Sequence, residues 1–323
     1  MAKPARPFIL KKMNRKFPWA LVLSGGGSRG LAHVGVLEAL EQAGYPPPAL
    51  IAGCSMGAIV GGLYASGMNP AEMRNFVGKR IDLTEFMSDS SVPFPDWPFG
   101  KAIKLGNGLS NLFRERGIDS GDKLNEVLLR LTGRTQFGET AIPFFCNATD
   151  LCTGREIVPD AGYLADAMRA SASFPGVFAP VPRGETLLAD GYLSRNTPVW
   201  IARKRGFRRV LAVTLGRHAT LAPSRMRTSV DVLLRSLDCA LAARPVRAED
   251  LPTLSIDIDN DRSPFDFSNP QDQIDLGRET TARAGRELAA FFEPGPIGPA
   301  RRIGLARRER ARERQRSEHH ERT

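Results

Sequence analysis

The stretch LVLSGGGSRGLAH, residues 21–33, places an apolar run directly before three consecutive glycines, and an apolar-periodic segment follows them. This order predicts a buried strand, a glycine turn and a helix. Gly25, Gly27 and Gly30 also match the spacing G-x-G-x-x-G, which is typical of a dinucleotide-binding turn. Such a turn presents backbone N–H groups to an anion. The stretch therefore predicts an anion site and leaves open which anion it serves.

The next strand and helix distinguish between these alternatives. A nucleotide-binding unit carries an acidic residue at the end of its second strand, about 20 residues further on, to bind the ribose. Here the second strand, ALIAG (49–53), leads into Gly53-x-Ser55-x-Gly57 and no acid. This pattern is typical of a nucleophile elbow, a sharp strand-to-helix turn whose glycines admit a strained, exposed serine. We therefore interpret Ser55 as a nucleophile.

Both turns follow strands that we expect to be parallel neighbours, so that their backbones meet at one edge of a sheet. Beside a nucleophilic serine the expected anion is a tetrahedral oxyanion, and each well-aimed donor there is worth about 10²–10³ in rate. Gly25, Gly26 and Gly27 are interpreted as oxyanion-hole residues, in a loop that ends at Gly30. Arg29 is a candidate for electrostatic support, with a surface ion pair as the alternative.

The four histidines supply one candidate base for the serine. His33 is predicted to pack within the helix after the glycine loop, and His319 and His320 lie in a charged tail. His218 follows a predicted strand, so Ser55, an acid and His218 would match an α/β-hydrolase triad in chain order. However, that fold places several strands before its nucleophile, and here one strand precedes the strand of Ser55.

Asp190, in LLADGYLSRNTPV (187–199), is the other candidate base. It ends a predicted strand and meets Gly191, which suits a residue displayed at the same sheet edge as Ser55. An unperturbed carboxyl, with a pKa of about 3.9, is a weak base for a serine hydroxyl. Partial desolvation would raise that pKa, and a direct hydrogen bond to the serine would supply proximity. We therefore favour a Ser–Asp dyad.

Five stretches in order resemble the signatures of patatin-like phospholipases, most closely the bacterial branch whose glycine loop continues with Arg-Gly and a His. They are GGGSRGLAHVGVLEAL, GCSMGAIVGGLYASG, NATDLCTG, RASASFPGVFAPV and DGYLSRNTPV, within about residues 19–216. The resemblance implies an α/β protein, a three-layer α/β/α patatin-like fold with a mostly parallel central sheet. It further implies hydrolysis of lipid acyl esters without calcium, and no metal or organic cofactor.

Carried over residue by residue, the resemblance implies Ser55 as nucleophile, Asp190 as base and Gly25 to Gly30 as oxyanion loop. Ser173, Pro175 and Gly176 fall in the stretch that lines the site behind the serine. At Tyr192 the chain departs from the Asp-Gly-Gly or Asp-Gly-Ala that is usual in the family.

The expected substrates are phospholipids, lysophospholipids or other acyl esters, cleaved through an acyl-enzyme. Two alternatives stay open. One is a catalytically silent scaffold of the same fold that binds lipid or regulates a partner, although the retained dyad and glycines argue against it. The other is a thioesterase, general esterase or protease that uses the same two residues.

The net charge of +10 resides at the two ends of the chain. Residues 1–19 hold six basic residues and no acid, and residues 299–323 hold nine arginines against four glutamates, so residues 20–298 carry about −1. The basicity is thus expected to belong to the ends rather than to a groove of the folded body. Such ends can contact anionic membrane, and no specific nucleic-acid partner is expected.

We expect a basic N-terminal segment (1–18), a catalytic domain (19–216), a helix-rich continuation of that domain (217–298) and a basic, disordered tail (299–323). The aromatic- and proline-rich residues 84–118 form either a lid or a loop packed on its own domain. The sequence contains no signal peptide, no membrane-spanning run and four cysteines without CxxC spacing. These features predict a cytoplasmic protein, with peripheral membrane contact as a further possibility.

Overall fold

A computed structural model of the chain describes residues 18–78, 119–216, 229–260, 262–294 and 297–322, with residues 117, 223 and 226. A five-stranded parallel sheet lies at the centre. From one edge to the other, its strands are β3 (Phe144–Cys146), β2 (Leu50–Gly53), β1 (Ala20–Leu23), β8 (Val210–Leu215) and β9 (Leu254–Ile258). Every residue of β1, β2 and β8 is buried, as expected for parallel strands that are covered on both faces.

Alternate residues of β1 pack into two separate cores, because successive side chains of a strand point to opposite faces. Leu21 and Leu23 enter the larger core, and Ala20 and Val22 enter the smaller one. The helices that contribute to the larger core are α1 (Ala32–Gln42), α2 (Met56–Ala65), α3 (Pro70–Gly78), α4 (Asp122–Leu131), α5 (Leu164–Ser171), α8 (Pro270–Arg283), α9 (Gly285–Phe292) and α10 (Ile297–Arg322). The smaller core is covered by α6 (Val199–Lys204), and α7 (Ser229–Ala242) follows β8. The predicted three-layer α/β/α fold is confirmed.

Helix α8 fixes α1 beneath the glycine loop through a close backbone approach. A Cβ at Gly35 of α1 would overlap the Ile274 carbonyl, and a Cβ at Gly277 of α8 would overlap the Ala32 carbonyl. A side chain at either position would force the two helices apart. Helix α8 is therefore part of the same packed unit as the glycine loop.

A second, antiparallel sheet stands beside the first, and the sequence did not predict it. Its strands, from edge to edge, are β5 (Glu156–Ile157), β4 (Ala148–Asp150), β7 (Thr186–Asp190) and β6 (Val181–Arg183). The apolar run IPFFCNATDL (142–151) reads in the sequence as one strand, but the structure divides it at Asn147 into β3 of the first sheet and β4 of the second. The buried Asn147 side chain donates to the carbonyls of Gly191 (3.2 Å) and Arg195 (2.9 Å), and so fastens the break.

Helix α10 runs from Ile297 to Arg322, where the sequence predicted a disordered tail (299–323), and so differs from that expectation. Leu305 and Glu309, one helical turn apart, are buried at 6% and 8% exposure. Glu309 accepts an ion pair from Arg312 at 3.1 Å. The high charge of the segment concealed this buried side, because arginine and glutamate are also good helix formers.

Three other predictions lie outside the described residues: the basic segment up to residue 17, the loop 84–118 apart from residue 117, and His218. Within the described ranges, no helix combines the length and apolar character needed to cross a bilayer.

Candidate active site

Ser55 occupies the turn between β2 and α2, at the carboxyl edge of the parallel sheet. Its backbone has φ 51° and ψ −122°, a conformation that costs a residue with a side chain about 1–3 kcal/mol. Two glycines make the turn possible. A Cβ at Gly53 would overlap the Gly57 carbonyl, and a Cβ at Gly57 would overlap the Leu23 carbonyl. The residues predicted as a nucleophile elbow thus form a strained turn that exposes Ser55 to a pocket.

The structure brings Ser55 and Asp190 together, although they are 135 residues apart and follow strands of different sheets. The Ser55 hydroxyl donates a 2.6 Å hydrogen bond to Oδ2 of Asp190. The other carboxylate oxygen, Oδ1, accepts from the Tyr192 N–H at 2.8 Å and from the Cys54 thiol at 3.8 Å. Because Tyr192 acts here through its main chain, its departure from the usual family residue leaves Asp190 in hydrogen-bonding position.

The main chain of Asp190 is held by its surroundings. Its N–H donates to the Ser173 carbonyl at 3.0 Å, and its carbonyl accepts from the Thr149 hydroxyl at 3.0 Å. Next to it, a Cβ at Gly191 would overlap the Asn147 side chain. On the serine side, the Ser55 N–H donates to the Ser171 hydroxyl at 2.9 Å.

Sequence reasoning missed the supporting residues Asn147, Thr149 and Ser171. All three fall within the motifs NATDLCTG and RASASFPGVFAPV and are buried polar residues. A polar side chain at a core position of a predicted strand or helix was the available signal, since such groups need partners.

The Asp190 carboxyl is completely buried, and this burial raises its pKa from the usual 3.8 to about 7. The hydrogen bonds from Ser55 and Cys54 act in the opposite direction. A carboxylate with a pKa near the working pH is a far better proton acceptor than an ordinary one. The direction agrees with the desolvation expected for Asp190.

His33 is buried within α1, as predicted, and its hydrogen bond in the described part of the chain is to the glycine loop rather than to Ser55. It is buried, and its Nε2–H donates to the Ser24 carbonyl at 2.8 Å. Burial lowers the pKa of the ring to about 4, so the imidazole is neutral near pH 7. Because Ser24 begins the glycine loop, His33 fastens that loop to the helix behind it.

The glycine loop passes directly beside Ser55, since a Cβ at Gly25 would lie 3.0 Å from that of the serine. The N–H of Gly25 donates to the Asn196 carbonyl at 3.2 Å, so this predicted donor is engaged elsewhere. Among the described residues, none accepts a hydrogen bond from the N–H of Gly26 or Gly27, and both glycines line the pocket. Close packing on α2 requires Gly30, where a Cβ would overlap Met56.

Arg29 lines the same pocket together with Tyr192 and with Asp238 of α7. Its Nε donates weakly to the Gly26 carbonyl at 3.4 Å. Burial lowers the pKa of Arg29 and raises that of Asp238, while each charge favours the ionised form of the other. The Tyr192 hydroxyl donates to Asp238. Sequence spacing gave no indication of Asp238, which belongs to a helix far along the chain.

Beyond these polar groups the pocket is apolar and encloses a cavity of about 260 Å³. One wall is the face of α2 that carries Met56, Ile59 and Leu63, and residues of α3 and α4 also line the pocket. From Met56 to Leu63 the helix rises about 10 Å. The pocket is thus a long apolar space with Ser55 and Asp190 at one end.

Fold and site together define a three-layer α/β protein in which a serine at the carboxyl edge of the parallel sheet is hydrogen-bonded to a buried aspartate. The sequence pattern of the patatin-like phospholipases matches residues 21–203, more than half of the 323 residues. The chain belongs to the patatin-like phospholipase family. The bacterial branch suggested by the sequence stays a prediction.

Among curated relatives, the chain is 32% identical over 200 residues to the lysophospholipase NTE1 of Cryptococcus neoformans var. neoformans serotype D, covering 61% of this chain and 11% of the relative. It is 32% identical over 203 residues to NTE1 of Mycosarcoma maydis, covering 61% and 10%. The chain thus spans about a tenth of the length of these relatives. Among solved structures, it is similar to VipD from Legionella pneumophila, with TM-score 0.48, 15% identity, and coverage of 84% of this chain and 67% of that one.

Proposed function

We propose that this protein is a lipid acyl hydrolase that cleaves carboxylic esters of phospholipids or lysophospholipids through Ser55 and Asp190. The observation that carries the proposal is the 2.6 Å hydrogen bond from the Ser55 hydroxyl to the buried Asp190 carboxylate. An apolar pocket beside the pair supplies space for an acyl chain. The relatives that bear the name lysophospholipase support the same class of substrate.

In the first half of the reaction, Oδ2 of Asp190 takes the hydroxyl proton of Ser55 as Oγ attacks the ester carbonyl carbon. The electron pair of the carbonyl bond moves onto its oxygen, which accepts hydrogen bonds from the N–H groups of Gly26 and Gly27. The tetrahedral intermediate then collapses, and the bond to the alcohol oxygen breaks. Asp190 returns its proton to that oxygen, and the alcohol or lysolipid leaves an acyl-serine.

In the second half, a water molecule gives a proton to Asp190 as its oxygen attacks the acyl carbonyl. Collapse of the second intermediate breaks the bond to Oγ of Ser55, and Asp190 returns the proton to that oxygen. A fatty acid is released and the starting state is restored. Arg29 is proposed to offset the negative charge gathered in the loop, with its own charge balanced by Asp238.

The proposed substrate chemistry follows from the walls of the pocket. Each methylene that moves from water into an apolar space contributes about 0.8 kcal/mol. The face of α2 from Met56 to Leu63 can accept several methylenes in succession. We propose that the acyl chain lies along α2. We also propose that the enzyme reaches its lipids from the cytoplasm by peripheral contact with the membrane, as expected from the sequence.

Incubation with a fluorophosphonate probe and with a panel of phospholipids and lysophospholipids tests the proposal. The parent chain is expected to be labelled at Ser55 and to release fatty acid, and Ser55→Ala is expected to do neither. Ser66→Ala is the matched control, because the Ser66 hydroxyl donates to the Leu63 carbonyl at the end of the same helix. A parent chain that takes up no probe and releases no fatty acid would be a scaffold, and the proposal would fall.

A further inference from the structure

A second cavity, of about 480 Å³, lies at the amino edge of the parallel sheet. Arg208 and Arg209, which directly precede β8, line it, as does Thr253, which directly precedes β9. Ser55 follows the carboxyl end of β2, so the two cavities lie at opposite ends of the strands. The six residues of β8 span about 20 Å. This second cavity is therefore no extension of the acyl pocket.

Five arginines line this cavity and reach it from three parts of the chain. Arg203 comes from α6, Arg208 and Arg209 from the turn before β8, and Arg302 and Arg310 from α10. Among the parts of the chain that the structure describes, no aspartate or glutamate lines it. The expectation that the basicity belongs to the ends alone is thus incomplete, because tail and body arginines share one cavity.

The residues of α10 that line the cavity lie on one face of the helix. Its lining positions are 299, 302, 303, 306 and 310, a spacing that places all of them on one side of a helix. Two of these positions are arginines and the others are apolar. Ile303 is 54% exposed at this site, so the cavity offers an apolar surface next to its charges.

Backbone carbonyls, rather than carboxylates, hold the guanidinium groups in place. Arg203 donates to the carbonyls of Leu251 and Arg208, each at 2.8 Å. Arg302 donates to the Glu293 carbonyl at 2.8 Å. Among the described residues, neither arginine has a carboxylate within ion-pairing distance. Both guanidinium groups are therefore oriented without being neutralised.

The acids beside the cavity pair with arginines outside it. Glu293 binds Arg301 at 2.9 Å, and Glu309 binds Arg312 at 3.1 Å. Asp250, next to the lining residue Leu251, binds Arg195 at 2.8 Å. These acids therefore leave Arg203 and Arg302 without a carboxylate partner among the described residues, and the charge of these two groups is left for a ligand to balance.

Burial and mutual repulsion both act on these arginines. Burial lowers the pKa of Arg203, and the nearby charge of Arg310 lowers it further. Burial likewise lowers the pKa of Arg209, and the charge of Arg302 adds to this effect. Like charges held together in a partly desolvated cavity are costly unless an anion joins them.

We propose that this cavity binds a small molecule that carries two or three linked phosphate groups. Guanidinium groups match phosphate oxygens in bidentate geometry. Several converging arginines suit the multiple negative charges of a di- or triphosphate better than the charge of one phosphate. The volume falls in the range of small-molecule sites, about 300–1,000 Å³. Ile303 and its apolar neighbours provide a surface for the organic part of the ligand.

Such a phosphate could be free in solution or be the headgroup of a phosphorylated lipid. The position of the cavity favours a phosphate compound that is free in solution. A bilayer that delivers an ester to Ser55, as the proposed function requires, meets the carboxyl edge of the sheet, whereas the arginines line the amino edge. We assign the cavity to a soluble oligophosphate, and this binding itself does not depend on ester hydrolysis.

Calorimetric titration of the full chain tests the proposal with four probes: orthophosphate, pyrophosphate, adenosine triphosphate and vesicles containing a phosphorylated inositol lipid. Pyrophosphate or the triphosphate is expected to bind at least tenfold more tightly than orthophosphate. Because the ligand bridges α10 to α6 and β8, it should also slow proteolysis of α10.

Arg310→Glu reverses one charge inside the cavity, and Arg308→Glu reverses one on an exposed position of the same helix. The first is expected to weaken triphosphate binding at least tenfold, and the second by less than threefold. Equal losses in the two variants would reveal general attraction to a basic helix and overturn the site. Binding to vesicles alone would overturn the assignment to a soluble ligand, and no binding to any probe would overturn both. Ser55→Ala, which removes hydrolysis, should bind the triphosphate like the parent.

Discussion

At the carboxyl edge of the parallel sheet a negative charge would meet backbone N–H groups, whereas at the amino edge it would meet arginine side chains. The carboxyl edge presents Gly26 and Gly27 within an apolar pocket, and the charge of Arg29 there is offset by Asp238. The amino edge presents arginines from three parts of the chain, and no acid is among the described residues that line their cavity. Fixed backbone dipoles suit a charge that exists only during reaction, because they need no counter-ion at rest. Guanidinium groups suit a charge that the ligand carries permanently.

The largest expected effect concerns the base at the carboxyl edge. Asp190→Asn keeps the shape of the side chain and removes its ability to accept the Ser55 proton. Hydrolysis of a short-chain chromogenic ester should fall by about 10⁴-fold, as for other catalytic groups that act as a unit. His218→Ala is the comparison variant and should keep parental turnover. Retained turnover in Asp190→Asn with loss in His218→Ala would replace the dyad by a histidine triad.

The pH dependence of hydrolysis should be the next largest effect. Asp190 accepts a proton only when charged, and its pKa is raised to about 7, so activity is lost as the pH falls through that value. Between its alkaline plateau and pH 5 the rate should drop by roughly 100-fold, tenfold for each unit below 7. A rate profile from pH 5 to 9 with a soluble ester measures this. The guanidinium group of Arg29 does not titrate in this range and would not cause such a drop. A flat profile would therefore show that Asp190 is not the base.

The apolar wall of the carboxyl edge predicts a change in acyl-chain preference. Leu63→Trp places a larger ring at the end of the α2 wall far from Ser55. Hydrolysis of a long-chain ester should fall by roughly tenfold relative to a short-chain ester, because several buried methylenes are displaced. The ratio of the two rates is measured, since partial misfolding would lower both alike. Leu151→Trp, at a position that is 47% exposed, should leave the ratio unchanged.

The smallest expected effect tests whether the two edges are independent. Arg310→Glu should alter ester hydrolysis by less than twofold, because the strand length of about 20 Å exceeds the screening length of about 8 Å at physiological salt. Rates with and without adenosine triphosphate provide the measurement. A change in hydrolysis upon either perturbation would show that the edges are coupled through the sheet.

The serine turn could be predicted from the sequence because its requirements are local. Gly53, Ser55 and Gly57 are close in sequence, and each is demanded by the backbone of a single turn. The glycine loop is equally local, but the engagement of Gly25 by the Asn196 carbonyl depends on a residue 171 positions away. The glycine pattern predicts the loop. The contact with Asn196 determines that Gly25, and not Gly26 or Gly27, donates its N–H to another described residue.

The setting of Asp190 shows where sequence reasoning ended. The sequence predicts a strand that ends at Asp190, on the same sheet edge as Ser55, and the structure shows a hydrogen bond between the two side chains. Asp190 ends β7 of an antiparallel sheet, whose partner β4 lies inside an apolar run that reads as one strand. The break at Asn147 is stabilised by carbonyls of residues 191 and 195, and no local signal reveals such distant partners.

The arginine cavity could not be predicted, because its lining is assembled from distant segments. Arg203 and Arg310 are more than 100 residues apart and belong to stretches that read as an ordinary helix and a charged tail. Counting net charge segment by segment therefore assigns these arginines to different regions, although the fold brings them to one cavity.

The position of β8 determines the shortest fragment of this domain that keeps the parallel sheet intact. β8 begins after residue 203, where the family match stops, yet it pairs with the whole length of β1, and its Val213 carbonyl accepts from the Ser24 N–H at 3.0 Å. A fragment cut at residue 203 would expose one flank of the innermost strand, and such a bare flank invites pairing between copies. A fragment that keeps the sheet and the glycine loop must therefore extend through β8 and β9 to α8, which packs against Gly35.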